Sequence, residues 1–309
     1  DFGVCSILTG DEFAVRQAIA KSDGDALART GTIRVKHAPQ VVAMHDDPAR
    51  VMRHKRQSSM AVACELVREG LAAAALSAGN SGAMMALAMA TLGKAPSVLR
   101  PCIATLIPSA RGRTLLLDAG ANVECTARHL AQFAVMGRVY MQCVQGIAQP
   151  RVGILANGEE TCKGTPVTRQ ALALLRGADL GAVGHCEGYD LFTGAVDVVV
   201  CDGLLGNVAL KSAEGCIRFL LRLLRDGIRG GGLQGKLGAW LLGKTLREIK
   251  RNIDPAEFGA APLLGLQGAV YIAHGNADAR CVSNALRRLA KSDRPLHPAL
   301  SQALINYGL

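Results

Sequence analysis

Four glycine-rich turns contain the small and polar residues that could bind an anion. They read SAGNSGA (77–83), DAGANVE (118–124), NGEETCKG (157–164) and CDGLLGN (201–207). Glycine lets the backbone approach an anion closely, and the unpaired N–H groups at a helix N-terminus attract negative charge. One such turn between a strand and a helix is common. Because there are four of them, each with Asn, Asp or Glu, we predict a ligand site.

None of the four turns is a standard nucleotide-binding motif. They contain neither the G-x-G-x-x-G pattern of dinucleotide sites nor the G-x-x-x-x-G-K-[ST] pattern of P-loops. The ten cysteines and seven histidines form no C-x-x-C, H-E-x-x-H or H-x-x-x-H cluster. We therefore predict free thiols rather than disulfides, and a site that uses no metal and no cofactor.

The net charge indicates an anionic partner. The formal charge is +10 over 309 residues, but only 4% of the residues are aromatic, and no RNP-like, zinc-finger or basic-zipper pattern is present. We predict no nucleic acid. Phosphorylated metabolites, an acidic carrier protein and an anionic membrane fit the charge equally well.

The turns must be positioned by the strands and helices around them. Apolar runs of strand length are continuous rather than alternating, which favours a parallel sheet that is buried on both faces. Helix-length segments lie between them, so we predict a doubly wound α/β fold with right-handed crossovers. The predicted strands are 4–8, 32–37, 72–77, 103–107, 114–117, 151–155 and 196–201, and the predicted helices are 58–69, 84–92, 126–144, 166–176 and 208–225.

The segment Ile217–Arg251 has a different character. It contains nine Lys or Arg residues against two acids, Asp226 and Glu248, and its apolar residues recur at near-helical spacing. A glycine-rich break at 230–232 divides it, which predicts a basic amphipathic helical hairpin. Such a hairpin could rest on an anionic membrane, receive an acidic carrier protein or pack across a dimer interface. The sequence leaves these three alternatives open.

In this order, the motifs resemble the PlsX family, the bacterial acyl-acyl carrier protein:phosphate acyltransferases. The resemblance covers almost the whole chain, and the combination of motifs is specific although no single one is. The matching stretches are KRQSSMAVACELVREG (55–70), SAGNSGAMMA (77–86), LDAGANVEC (117–125), QFAVMG (132–137), NGEETCKG (157–164), VDVVVCDGLLGNVALK (196–211) and GAAPLLGLQGAVYIAHG (259–275).

The resemblance implies a fold, an activity and partners. The fold would be a single Rossmann-like α/β/α domain over 1–309, with the hairpin as an extension. The activity would be transfer of a fatty acyl group from acyl carrier protein to inorganic phosphate, which makes acyl phosphate for phospholipid synthesis. The protein would be a cytoplasmic homodimer that associates peripherally with the membrane, and a glycerol-3-phosphate acyltransferase would act downstream.

Two features depart from the family pattern. The family usually opens with a strand that ends in a D-x-M-G-G-D type of turn, and nothing similar precedes Val4. The chain also begins at Asp1 without an initiator Met, so we expect the family's N-terminal strand to be missing. The family commonly has a lysine two residues before the late His-Gly pair, where this chain has Ile272.

The implied reaction needs no protein nucleophile, because phosphate itself attacks the thioester. Lys163 is the first candidate catalytic residue, as the charge partner of phosphate. Asn207 is the second, as a donor to the carbonyl oxygen or to phosphate at a helix start. The residues expected to bind or orient phosphate and substrate are Ser77, Gly79, Asn80, Ser81, Gly82, Asn122, Glu159, Asp202, Gly203 and His274.

Other interpretations of these residues stay open at this point. Lys163 could be a solvated surface charge, and Asn207 or Asp202 could be a local backbone cap. Cys201 or Cys162 could form an acyl-cysteine, and His274 could be a structural turn residue or could protonate the leaving thiolate. The alternative functions are a coenzyme A-dependent phosphotransacetylase-like enzyme and an inactive module that binds a membrane or a carrier protein.

Overall fold

Strands and helices alternate along the chain, as its apolar runs predict. The computed structural model describes residues 3–22, 24–177, 182–253, 259–292 and 296–308. The strands are β1 (Ser6–Gly10), β2 (Ile33–His37), β3 (Ala74–Ser77), β4 (Cys102–Ile103), β5 (Thr105–Ser109), β6 (Gly112–Leu117), β7 (Val152–Leu155), β8 (Ala182–Cys186), β9 (Val198–Val200), β10 (Ala260–Leu264) and β11 (Ala269–Ala273). The helices are α1 (Glu12–Lys21), α2 (Asp25–Arg29), α3 (Pro48–His54), α4 (Ser59–Arg68), α5 (Ser81–Leu92), α6 (Ala127–Gln145), α7 (Pro166–Gly177), α8 (Asp190–Thr193), α9 (Gly203–Gly230), α10 (Gly232–Leu241), α11 (Gly243–Ile253), α12 (Ala279–Ser292) and α13 (Leu296–Asn306).

Within the described residues the strands form three sheets. Their strand orders are β1-β2, β3-β11-β10-β4 and β5-β6-β9-β7-β8. The neighbours β6, β9, β7 and β8 run parallel, as do β3 with β11 and β1 with β2. The prediction of an α/β fold with mainly parallel strands is therefore confirmed.

Some strands and pairings were not expected from the sequence. The predicted strand 103–107 is divided at Ala104, so that β4 joins the four-stranded sheet while β5 joins the five-stranded one. β5 is antiparallel to β6, and β10 is antiparallel to both β11 and β4. The strands β8, β10 and β11 were not predicted. An apolar run indicates a strand, but it does not specify which strand will be its partner.

Helix α6 anchors the five-stranded sheet. Most of its residues are buried, and it contributes Phe133, Met136 and Tyr140 to the largest cluster of core side chains. A Cβ atom on Gly137 would lie 2.6 Å from side-chain atoms of both Leu117 and Val198, so glycine lets the helix lie directly on β6 and β9. The carboxyl ends of these strands are thereby held in place by the core.

The segment predicted as a hairpin forms the second half of α9 together with α10 and most of α11. The break between the first two helices falls at Gly231, within the glycine-rich stretch. Gly235 of α10 lies against the carbonyl of Ile228, where a Cβ atom would collide with the backbone. Apolar side chains remain exposed here, among them Leu233 (90%) and Trp240 (76%). Among the described helices, none combines the length and apolarity that are needed to span a bilayer.

Candidate active site

Three of the four glycine-rich turns lie at one edge of the five-stranded sheet. β9 pairs in parallel with β6 on one side (Leu117 with Val200) and with β7 on the other (Ile154 with Val200). The turns that follow these strands, 118–124, 201–207 and 157–164, therefore lie side by side. The carboxyl ends of parallel strands are the usual place for a ligand in an open α/β sheet.

The fourth turn, 77–83, follows β3 in the four-stranded sheet. Its neighbour β11 places Ile272 opposite Ser77, so His274 lies beside this turn. Ala119 and Ala121 of the turn 118–124 pack in the same core cluster as the side chains of α5 and β11. The two sheet edges therefore meet at the turn 118–124.

A buried carboxylate organises the turn 118–124. Asp118 is fully buried, and its oxygens accept hydrogen bonds from the backbone N–H of Ile103 (3.0 Å) and of Asn122 (2.6 Å) and from Asn122 Nδ2 (2.8 Å). Burial raises the pKa of Asp118, and the N–H donors oppose that rise. Asn122 Nδ2 also donates to the carbonyl of Pro101 (2.8 Å), and Asn122 is only 4% exposed. Asn122 therefore shapes the turn from within.

The first turn of α9 lies directly on this turn. The N–H of Gly203 donates to the carbonyl of Asn122 (2.7 Å), and a Cβ atom on Gly203 would lie 2.8 Å from the Asn122 backbone. A Cβ atom on Gly206 would collide with the carbonyl oxygen of Asp118. Asp202 caps the helix, because its Oδ1 accepts the N–H of Leu205 (2.8 Å). Both glycines are thus required by the packing of backbone on backbone.

Asn207 follows this contact on α9 and faces outward. A Cβ atom on Gly120 would lie 3.5 Å from the Asn207 Cβ, so the two residues are adjacent. Asn207 is exposed, and within the described part of the chain its side-chain amide has no hydrogen-bond partner. An amide that is fixed at its base and free at its tip is available to donate to a ligand.

Lys163 is carried by a tightly held turn after β7. Its backbone N–H donates to the carbonyl of Glu160 (3.0 Å), and the N–H of Gly164 donates to Asn157 Oδ1 (2.9 Å). Arg169 of α7 donates to the carbonyl of Gly164 (2.7 Å). Lys163 itself is partly buried, and its ammonium group pairs with no acceptor in the described residues. The turn therefore presents an unneutralised cation.

Glu159 lies in the same turn and is exposed. Its Oε1 accepts a hydrogen bond from the hydroxyl of Tyr189 (2.9 Å). This bond and the neighbouring carboxylate charge raise the pKa of Tyr189 to about 12. No hydrogen bond or ion pair in the described chain joins Glu159 or Lys163 to Asn207. The structure thus brings their turns to one edge without direct contact between these side chains.

In the turn 77–83 the side chains mostly serve the fold. Asn80 caps α5, since its Oδ1 accepts the N–H of Ala83 (3.0 Å), and its Nδ2 donates to the carbonyls of Met44 (3.1 Å) and Asp46 (2.9 Å). Ser77 Oγ accepts the N–H of Gly79 (3.2 Å). These two polar side chains therefore hold the turn and the loop opposite it.

Packing in the structure accounts for the two glycines of this turn, Gly79 and Gly82. The sequence suggested that Gly79 and Gly82 leave room for an anion, but a Cβ atom on Gly79 would collide with Met60, and one on Gly82 would lie 3.0 Å from Pro48. Ser81 begins α5 and is exposed, and the backbone N–H groups of Ser81 and Gly82 have no acceptor among the described residues. Free N–H donors are therefore what this turn can offer a ligand.

His274 joins the two sheet edges through α9. Its Nε2 lies 2.8 Å from Lys211 Nζ, and Lys211 Nζ lies 2.9 Å from Glu214 Oε2. Lys211 and Glu214 were not singled out from the sequence as site residues. Their spacing of three residues, which places them on one helix face, was the available signal.

The cysteines near the site are free thiols in the structure. Burial raises the pKa of Cys201 well above its usual value, which keeps that thiol protonated. Cys162 is exposed in the Lys163 turn. Within the described residues, no three His, Cys, Asp or Glu side chains come together as a group that could hold a metal ion.

Sequence comparison identifies close relatives. A family model described as "Fatty acid synthesis protein" matches residues 3–292. The phosphate acyltransferase of Myxococcus xanthus is 50% identical over 283 residues, which are 91% of this chain and 79% of that protein. The phosphate acyltransferase of an Anaeromyxobacter strain is 46% identical over 292 residues, which are 94% of this chain and 80% of that protein.

Solved structures share the fold at much lower sequence identity. The EutD phosphotransacetylase from Staphylococcus aureus has a TM-score of 0.58 at 17% identity, covering 97% of this chain and 87% of that one. A phosphotransacetylase from Streptococcus pyogenes has a TM-score of 0.53 at 15% identity, covering 93% and 94% of the two chains. These similarities concern the α/β architecture alone.

Proposed function

The chain belongs to the phosphate acyltransferase family and is an acyltransferase, and from that premise we propose the following reaction. A fatty acyl group passes from acyl-acyl carrier protein to inorganic phosphate and gives an acyl phosphate for phospholipid synthesis. The observation that carries the proposal is the unneutralised Lys163 ammonium group on a turn adjacent to the start of α9. A cation on a tightly held turn suits a phosphate dianion.

The chemistry requires positioning and charge stabilisation rather than a protein nucleophile. A phosphate oxygen attacks the thioester carbonyl carbon, the C–S bond breaks, and the leaving thiolate takes the proton that phosphate gives up. Lys163 holds the phosphate close to the carbonyl. The side-chain amide of Asn207 donates to the carbonyl oxygen as negative charge develops there, which is the usual role of an oxyanion donor.

The remaining predicted residues act as donors or as supports for the site. The free N–H groups of Ser81 and Gly82 donate to phosphate or to the thioester, and Glu159 and His274 face the substrate from their two turns. The residues whose side chains or backbone N–H groups are already hydrogen-bonded orient the turns that bind substrate. These supporting residues are Ser77, Gly79, Asn80, Asn122, Asp202 and Gly203.

The reaction is tested by trapping its product. The protein is incubated with palmitoyl-acyl carrier protein, with and without inorganic phosphate, and acyl phosphate is converted to its hydroxamate. We expect phosphate-dependent product, and much less product from palmitoyl-coenzyme A. Product from coenzyme A alone would indicate a phosphotransacetylase-like enzyme instead. Absence of product from both donors would leave a binding role.

The helices α9–α11 supply the proposed contacts with a membrane and with a second subunit. Apolar side chains are exposed on α9 (Phe219, 58%; Leu223, 52%) and on α10 (Leu237, 60%; Trp240, 76%). Nine basic residues accompany them between 217 and 251. This pattern supports peripheral association of α10 with an anionic membrane and pairing of α9 in a homodimer. The apolar acyl phosphate would then be released near a membrane-bound glycerol-3-phosphate acyltransferase.

The membrane contact predicts a specific loss of vesicle binding. The Trp240→Ser variant should sediment less with vesicles that contain an anionic lipid, because the exposed indole no longer enters the lipid interface. Phe13→Ser is the matched control, since Phe13 on α1 is equally exposed (77%) but lies outside the basic segment. If both variants bind the vesicles as well as the native protein does, the apolar surface of α10 is assigned to subunit packing instead. Light scattering would then detect the resulting dimer.

A further inference from the structure

A buried histidine lies beneath the turn that carries Lys163. His185 is on β8, directly opposite Ile154 of β7, the strand from which the turn departs. It is only 5% exposed. It was not singled out from the sequence, because it lies 22 residues after Lys163 in a strand that was not predicted.

The histidine contacts the turn at two points. Its Nδ1 lies 3.2 Å from the carbonyl oxygen of Glu160. A Cβ atom on Gly164 would lie 3.4 Å from both Cε1 and Nε2 of the ring, so the imidazole lies beside Gly164. These contacts flank Lys163 on both sides along the chain.

The Glu160 carbonyl connects the histidine to Lys163 directly. The same oxygen accepts the backbone N–H of Lys163 at 3.0 Å. A carbonyl oxygen has two lone pairs, so it can accept from the Lys163 N–H and from the imidazole at the same time. Because the carbonyl can only accept, Nδ1 carries the ring proton, and Nε2 is buried without a hydrogen-bond partner.

We infer that His185 is a positioning residue for Lys163, acting through the Glu160 carbonyl. The imidazole fixes the position of the Glu160 carbonyl, which closes the turn, and this restricts the direction in which the Lys163 side chain leaves the turn. The other side chains that hold the turn, Asn157, Arg169 and Tyr189, are exposed, whereas the histidine is shielded from water. The hydrogen bond of His185 to the Glu160 carbonyl is part-buried, whereas the hydrogen bonds of those three side chains are exposed, so water competes less for it. The inference rests on the proposed role of Lys163 in binding phosphate.

Three substitutions separate this role from simple packing. Asparagine places an amide N–H close to the position of Nδ1, so His185→Asn should retain the bond to Glu160. His185→Gln places its amide one bond further out, and His185→Leu has no donor. We expect the KM for phosphate to rise about tenfold in the Gln and Leu variants, with kcat little changed, and to stay within about threefold of native in the Asn variant. A native KM in the Leu variant, or an equal loss in the Asn variant, would overturn the inference.

A second measurement keeps this test separate from that of the proposed function. Hydrogen–deuterium exchange of the Lys163 amide reports on the turn whether or not Lys163 binds phosphate. Faster exchange in the Leu variant with native exchange in the Asn variant supports the inference that His185 holds the turn. That result stands even if Lys163→Ala leaves the KM for phosphate unchanged and the proposed phosphate site is wrong. Unchanged exchange in the Leu variant would overturn the inference that His185 holds the turn.

Discussion

The Lys163→Ala variant is expected to lose about 10²- to 10³-fold in kcat/KM for phosphate, the range seen when one charge-stabilising donor is removed from an active site. Lys163 is partly buried and its ammonium group has no acceptor within the described chain, so its charge is available to the phosphate dianion. Steady-state rates at varied phosphate, with palmitoyl-acyl carrier protein held at saturation, measure the loss. Most of it should appear as a raised KM for phosphate.

Two variants control this experiment. Lys163→Arg keeps the positive charge and should recover part of the activity, because a guanidinium group also binds phosphate but with a different reach. Lys36→Ala removes an exposed lysine from β2 and tests for the effect of overall charge. If Lys163→Ala and Lys36→Ala have the same small effect, Lys163 is a solvated surface charge and the proposed phosphate site is wrong.

The Asn207→Ala variant is expected to lower kcat by about 10²- to 10³-fold with a smaller effect on the KM for phosphate. Its amide would donate to the carbonyl oxygen mainly as charge develops there, so its removal costs more in the transition state than in the ground state. Single-turnover rates with bound acyl-acyl carrier protein measure the chemical step directly. The backbone of α9 should be unaffected, because Asn207 is exposed and its side chain holds no other group.

The controls for Asn207 test its chemistry and its position. Asn207→Asp has the same shape but replaces the donor by a negative charge, so it should be at least as inactive as the alanine variant. Val208→Ala changes the next exposed residue on α9 and should remain close to native. An active Asn207→Asp variant would contradict the role of Asn207 as a donor to the developing oxyanion.

The alternation of strands and helices and the places of the glycine-rich turns could be predicted from the sequence. Buried parallel strands require continuous apolar runs such as 196–201, and helices require capping residues such as Asp202, so both leave local patterns. The motifs were also specific enough, in combination, to indicate the family. These features depend on residues that are close together in the chain.

The contacts that shape the site were decided only by the tertiary structure. The carboxylate of Asp118 binds the N–H of Ile103, 15 residues away, and His185 binds the carbonyl of Glu160, 25 residues away. The glycines at 79 and 82 leave the space that Met60 and Pro48 occupy. A run of residues indicates that a turn is small and polar, but which atoms fill the space beside it depends on how distant strands and helices pack, and one sequence does not contain that pairing in any local pattern.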